Sequence, residues 1–280
     1  MTVVKTRKIS IILLSAAMLA LLGASVFAAG NAVLQADSMN YDPKSRSVVA
    51  TGNVRFASPD GEISADRGVG YTDGGTFEME GGVTGRFAEQ SMDITCDFIM
   101  LERAASSDKR TITARGRVSL SRDGGTLKAD SVVWELGSDN YSAEGNVLMD
   151  FGNHLVDSDE ASRNGSHFHA REVRRYADRS HRMTISAGEA DGLMEKDDIV
   201  ELTASGGVVM DVAELSGAPT RITGDSGVFS RDRGTLVISG NASASQEGRS
   251  VRAANIVYHL AGGRIEALGD RPTIAFEVRD

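Results

Sequence analysis

The chain has 280 residues, 39 acidic against 30 basic side chains and a formal charge of −9. Such an acidic balance argues against nucleic acid as a partner, because that binding is dominated by phosphate neutralisation. A single cysteine, Cys96, rules out an intramolecular disulfide framework, and 31 glycines with only 5% aromatic residues suit a thin core between close sheets.

The first element in the chain reads as a targeting segment. Lys5, Arg7 and Lys8 precede an apolar or small stretch from Ile9 to Leu22, and Val26-Phe27-Ala28 follows. That stretch is shorter than the roughly 20 residues a spanning helix needs, so residues 1–28 are expected to be an export signal cleaved near Ala28. An uncleaved anchor is the alternative. No cysteine stands near the site, which argues against a lipid anchor. Cleavage would leave the chain three units more negative, since the segment holds three cations and no acid.

From Ala36 onward one pattern returns seven times. Each copy opens on an Ala-Asp pair or a close variant, and a glycine follows within an alternating strand. The pairs are Asp37/Gly52, Asp66/Gly81, Asp97/Gly116, Asp130/Gly145, Asp191/Gly206, Asp225/Gly240 and Asn255/Gly269. Such self-similarity marks stacked supersecondary units, none of which can bury its apolar face alone.

The second half of each unit alternates with period two, which places one set of side chains on a single strand face. In chain order these are Val48, Ala50, Val54 and Phe56; Phe77, Met79 and Val83; Ile112, Val118 and Leu120; Tyr141, Val147 and Met149; Leu202, Val208 and Met210; Leu236 and Ile238. Thr51, Asn53, Arg55, Glu80, Arg115, Arg117 and Glu144 fall on the opposite face. This is the signature of half-buried strands and excludes helical spacing. Glycine at the centre of the apolar face fits a close approach of two backbones or a bulge in each hairpin, and both can hold together. Cys96 stands where other units carry Ala, which makes it a small buried residue rather than a reactive thiol. Asp37 and its counterparts are read as turn or strand-entry residues.

Turn sequences such as Asp42-Pro43, Ser58-Pro59-Asp60-Gly61, Asp123-Gly124-Gly125 and Gly137-Ser138-Asp139-Asn140 separate the strands. Each unit is therefore two short strands and a tight turn, and eight units predict an all-β protein of about sixteen short strands, largely antiparallel. A period near thirty split by two turns suits a strand pair better than one coil of a parallel β-helix. Residues 152–189 break the pattern. They hold His154, His167, His169 and His181 and six arginines between Arg163 and Arg182. This stretch is expected to be an insertion, a longer loop with one irregular strand pair, whose arginines form a solvated charged face or meet phosphates or an acidic partner.

No catalytic constellation emerges. His167-x-His169 has no matching ligand pair at metal-site spacing. Ser106-x-x-Lys109 and Ser138-Asp139-Asn140 match two of three β-lactamase elements by chance, in loops and without the third. Neither enzyme activity, cofactor nor metal is expected.

The segment Ala36-Asp37-Ser38-Met39-Asn40-Tyr41-Asp42-Pro43, leading to Ala50-Thr51-Gly52-Asn53-Val54-Arg55-Phe56, resembles the OstA-like family. Glu144-Gly145-Asn146-Val147 repeats its second hallmark, and Ser239-Gly240-Asn241-Ala242 does so more loosely. The resemblance covers 33 to about 150 well and 190 to 277 moderately, and it fails between Gly152 and Glu189. The repeats run through nearly all of 29–280, which is read as one elongated domain, and the resemblance implies an elongated β-jellyroll of two facing sheets open along one side, as one jellyroll or two in tandem. It further implies a periplasmic protein that bridges inner and outer membrane and carries lipopolysaccharide, with the lipid A acyl chains in an apolar groove. The eighteen apolar residues named above would line that groove. The terminal strands, Val33 to Tyr41 and Thr273 to Val278, would pair with inner- and outer-membrane transport components or head-to-tail with a second copy. A structural β-solenoid of the cell envelope, with a closed core and no lipid groove, is the competing reading.

Overall fold

A computed structural model describes residues 32–71, 75–103, 109–213, 219–269 and 271–276. The expected export signal, its cleavage site at Ala28 and Val278 lie outside the described residues. The strands in order are β1 Val33–Gln35, β2 Ser38–Asp42, β3 Ser47–Ser58, β4 Gly61–Tyr71, β5 Thr76–Phe87, β6 Met92–Arg103, β7 Arg110–Arg122, β8 Gly125–Glu135 and β9 Tyr141–Phe151. They continue as β10 His154–Asn164, β11 His167–Asp178, β12 Met183–Glu195, β13 Asp198–Val212, β14 Thr220–Ser230, β15 Thr235–Gln246, β16 Arg249–His259, β17 Arg264–Leu268 and β18 Thr273–Phe276.

From β2 to β17 every strand pairs antiparallel with the next, so a single sheet meanders through the described chain. β1 and β2 are halves of one broken strand, both against β3. β17 and β18 are likewise both against β16. Counting each broken strand once leaves the sixteen lines that the repeats predict. The strands are not short, however. From β3 to β16 each runs 11 to 15 residues, because a line that reads as two short pieces is one strand bent at its middle.

The bend explains both halves of the repeated motif. At Thr51/Val54 the register against β4 slips by one residue, and comparable slips interrupt every pairing from β3–β4 to β15–β16. Gly52 and Asn53 both have positive φ there, which keeps Val48, Ala50, Val54 and Phe56 all inward. The partner strand instead skips a residue. In β8, Leu127 and Ala129 point inward, then Val132 and Trp134, with Asp130 at the break. β6 does the same, with Ile94 and Cys96 followed by Ile99 and Leu101. Ala-Asp is thus the last inward residue and the first outward one, not a strand entry. Close approach and bulge coincide: a Cβ on Gly52 would sit 2.6 Å from the Asp37 carboxylate. Asn53 donates to that carboxylate at 2.8 Å, as Asn146 does to Asp130 and, at 3.1 Å, Asn241 to Asp225.

Two of the seven predicted pairs do not meet in this way. Gly206 lies against Gly188, while Asp191 pairs with Thr203, three residues past the bend. A second register slip in the β12–β13 hairpin, at Leu193/Met194, accompanies that offset. At the end of the chain Gly269 faces Ala254 rather than Asn255. Nor is 152–189 an insertion of loop and irregular pair. It forms β10, β11 and the start of β12, joined by tight turns in the same meander. The repeat is hidden there because β11 bends between Arg171 and Tyr176 without a glycine, and Glu172 takes the left-handed conformation that Asn53 and Asn146 take at other bends.

Candidate functional site

Bending one sheet along its middle folds it over a single interior. Of the eighteen residues predicted to line it, seventeen are buried, from Ala50, Val147, Met210 and Ile238 at 0% exposure to Met149 at 7%. Tyr141 is the exception: it is half-buried and packs against the same core. All but Val48 of these side chains join or pack against a continuous apolar cluster that extends from Ala50 to Tyr258. Cys96 is buried within it, and desolvation pushes its thiol up to about 12, which keeps it protonated and unreactive.

The strand ends form two lips opposite the line of bends, and ion pairs tie lip to lip. Arg110, at the start of β7, meets Asp60 in the β3–β4 turn. Arg122, at the end of β7, reaches Asp139 in the β8–β9 turn at 2.9 Å. His154 lies 2.7 Å from Asp198, and Arg231 bridges Asp198 at 2.8 Å and Asp178 at 3.1 Å. The carboxylate of Asp178 is fully buried. Burial alone would raise its pKa, but hydrogen bonds from Ser180 and His181 together outweigh that and hold it below the usual carboxylate range.

Along this mouth opens a cleft of about 420 Å³. Its floor includes Leu120, Leu127, Trp134, Tyr141, Met149 and Met194, so three predicted lining residues, Leu120, Tyr141 and Met149, reach it. Its rim carries Arg122, Arg163 and Lys196 beside Asp123, Asp139 and Asp197. The Arg122 guanidinium lies 5.3 Å from the centroid of the Trp134 ring. Burial raises the Tyr141 hydroxyl above its ordinary pKa.

The histidine- and arginine-rich stretch is spread across several strands. Arg171, Arg174 and Arg179 pair with Glu160, Asp157 and Asp150 on neighbouring strands, a solvated charged face. His169 binds Asp191 at 2.8 Å, and among the described residues no group of three His, Cys, Asp or Glu is placed to hold a metal ion. The outer edges of β1, β2, β17 and β18 have no strand partner among the described residues. They expose Val33, Met39, Tyr41, Leu268, Ile274 and Phe276. The mouth was missed by sequence reasoning, because Asp60 and Asp139 sit in motifs that read only as turns. The available signal was a pair of turn acids matched by arginines at strand ends.

A sequence profile for LptA and the LptD N-terminal domain, lipopolysaccharide transport proteins, matches residues 101–264. No curated protein matches the chain. Among solved structures it is similar to LptH, the LptA-homologous periplasmic component of the lipopolysaccharide transport device of Pseudomonas aeruginosa. The identity is 14% and the TM-score 0.34, over 56% of this chain and 95% of that one.

Proposed function

Because the chain belongs to the family of lipopolysaccharide transport proteins that comprises LptA and the LptD N-terminal domain, we propose that it is a periplasmic lipopolysaccharide carrier that receives acyl chains between its two layers. The observation that carries this reading is the unbroken apolar interior from Ala50 to Tyr258. Each CH₂ kept from water contributes roughly 0.8 kcal/mol, so exposing a twelve-carbon chain would cost about 10 kcal/mol. A carrier through an aqueous compartment therefore needs apolar lining without a gap, and residues such as Val54, Val118 and Val208, spaced along the sheet in β3, β7 and β13, supply it. Since these residues are buried, loading requires the lips to part, and the ion pairs of the mouth are what must yield.

The remaining parts of the reading follow from position. Residues 1–28 direct export and are removed, leaving one domain over 29–280. The open edges of β1–β2 and β17–β18 accept strands from membrane-bound transport components or from a second copy, and a head-to-tail contact of that kind extends rather than closes. The test is ultraviolet crosslinking in cells with a photoreactive residue at Val54, and separately at outward-facing Arg55. A lipopolysaccharide adduct from position 54 and none from 55 is expected. The buried packing and tied lips favour one other reading, a structural envelope protein with a closed core. Folded protein giving no adduct at 54, 118 or 208 would establish that reading instead.

A further inference from the structure

We propose that the cleft at the mouth binds the phosphorylated head of a lipid, with Asp139 holding its two arginines until that head displaces it. The inference rests on the carrier reading and names where the cargo is first recognised. Arg122 and Arg163 come from different strand ends, yet both turn onto Asp139, at 2.9 and 3.4 Å. Two guanidiniums converging on one anion, each through one nitrogen, make a cationic clamp that suits phosphate, which offers more acceptor oxygens than a carboxylate. Both are partly withdrawn from water, Arg163 to 13% exposure and Arg122 to 31%.

The rim bears three cations and three acids, so an incoming anion gains only by replacing an acid. Asp139 is the one held by both arginines, and it stands 46% exposed on the turn between β8 and β9, free to swing outward. Asp123 also touches Arg122, at 3.2 Å, and Arg163 further donates to the Gly165 and Lys196 carbonyls, which a phosphate need not disturb. Beneath the arginines the floor is apolar, with Leu120, Leu127, Met149 and Trp134. A molecule that satisfies both levels is an anion carrying an acyl chain. Displacing Asp139 would also break a tie between the lips, at the point where the chain must enter.

Trp134 is the only tryptophan in the chain, so its fluorescence reports this cleft alone. The processed full chain is titrated with monomeric dihexanoyl phosphatidic acid, with the uncharged dihexanoylglycerol and with inorganic phosphate. Phosphatidic acid is expected to shift the Trp134 emission at a concentration about tenfold below either control, a difference of about 1.4 kcal/mol. Asp139→Asn should tighten it about threefold by freeing both arginines. Arg163→Gln should weaken it about tenfold, and Arg163→Lys, which keeps the charge but loses the guanidinium donors that fix the side chain on the Gly165 and Lys196 carbonyls, should do so nearly as much. Equal binding of the uncharged lipid, equal binding of phosphate alone, or weaker binding by a natively melting Asp139→Asn variant would each overturn the proposal. Lipopolysaccharide adducts at Val54 with a silent Trp134 would remove the head-group site and leave the carrier reading standing. No adducts anywhere would remove the carrier reading itself.

Discussion

The line of bends and the mouth are built from the same strands, but by different means. At the bends the chain turns through its own backbone: Gly145 and Asn146 take positive φ, and the Asp130 carboxylate occupies the space a side chain on Gly145 would need. At the mouth the two layers are joined mainly by side chains, through Asp60–Arg110, Arg122–Asp139 and the Asp178–Arg231–Asp198 bridge. Backbone geometry cannot be released without unfolding the strand. An exposed pair such as Arg122–Asp139 can be exchanged for water or for another anion at small net cost, whereas the buried Asp178 must keep a partner. A sandwich hinged along one side and latched along the other is the expected result, and substitutions on the two sides should behave differently.

One of the two largest effects is expected on the hinge. Gly145→Ala introduces a Cβ that overlaps Asp130 and strains a positive φ, and should cost about 3 kcal/mol in a denaturant titration. Gly137, in the β8–β9 turn, has a φ of 78° and open space where its Cβ would stand. Gly137→Ala should therefore cost only about 1 kcal/mol, for the φ alone. Adding Asp130→Ala to Gly145→Ala should recover part of the excess, since it removes the carboxylate but leaves the Asp130 Cβ 2.9 Å away. Equal costs at 145 and 137 would show that the hinge is held by φ alone and that the facing carboxylate is incidental.

At the mouth, Asp178→Asn should cost about 3 kcal/mol, the low end for removing one partner of a buried pair, because Arg231 keeps Asp198. Its pH dependence has a definite sign. The folded carboxyl lies below its unfolded value of about 3.9, so its contribution is complete above that value and is lost as pH falls through the folded one. The stability gap between the native chain and Asp178→Asn should therefore stay constant from about pH 7 to 5 and narrow below about pH 4. A gap that closed already near pH 6 would show that the Asp178 carboxylate is not the group that sets it.

The same contrast explains what could be read in advance. Period-two alternation in Val48 to Phe56 and its copies is a backbone property, so strand count, facing and core membership were all legible. The hinge was legible as a spacing of aspartate and glycine, but its geometry was not. Asp191 mimics the motif three residues late, and β11 makes its bend without a glycine. The mouth was opaque, because Arg110 and Asp60 stand fifty residues apart and no local pattern joins them. The arginines between 163 and 182 looked like a separate insertion for the same reason, since Asp150, Asp157 and Glu160 are neighbours only once the strands pair.

Smaller effects sharpen the account of the hinge. Cys96→Ala should cost about 1 kcal/mol or less, since Ala65 and Ala129 fill the matching position in β4 and β8. With its thiol pushed up to about 12, Cys96 should resist maleimide at pH 7 until the chain is unfolded. Rapid labelling of native protein would mean that the hinge strands separate from each other readily.

The smallest effect is expected from the side chain that follows the hinge glycine. Asn146 holds the Asp130 carboxylate at 2.8 Å on an exposed surface, where a net hydrogen bond contributes about 0.5 kcal/mol. Asn146 also has a φ of 51°, so Asn146→Ala would mix the lost bond with backbone strain. Asn146→Gly separates them: it keeps the left-handed conformation and removes only the bond. β5 already carries this arrangement, with Gly82 at a φ of 56° behind Gly81 and no side chain to reach Asp66. Asn146→Gly should therefore lower stability by about 0.5 kcal/mol, and Asn146→Ala by about 1 more. If the two variants were equally destabilised, the amide clasp rather than the backbone would be holding the bend, and the distinction between hinge and latch would fail at its simplest point.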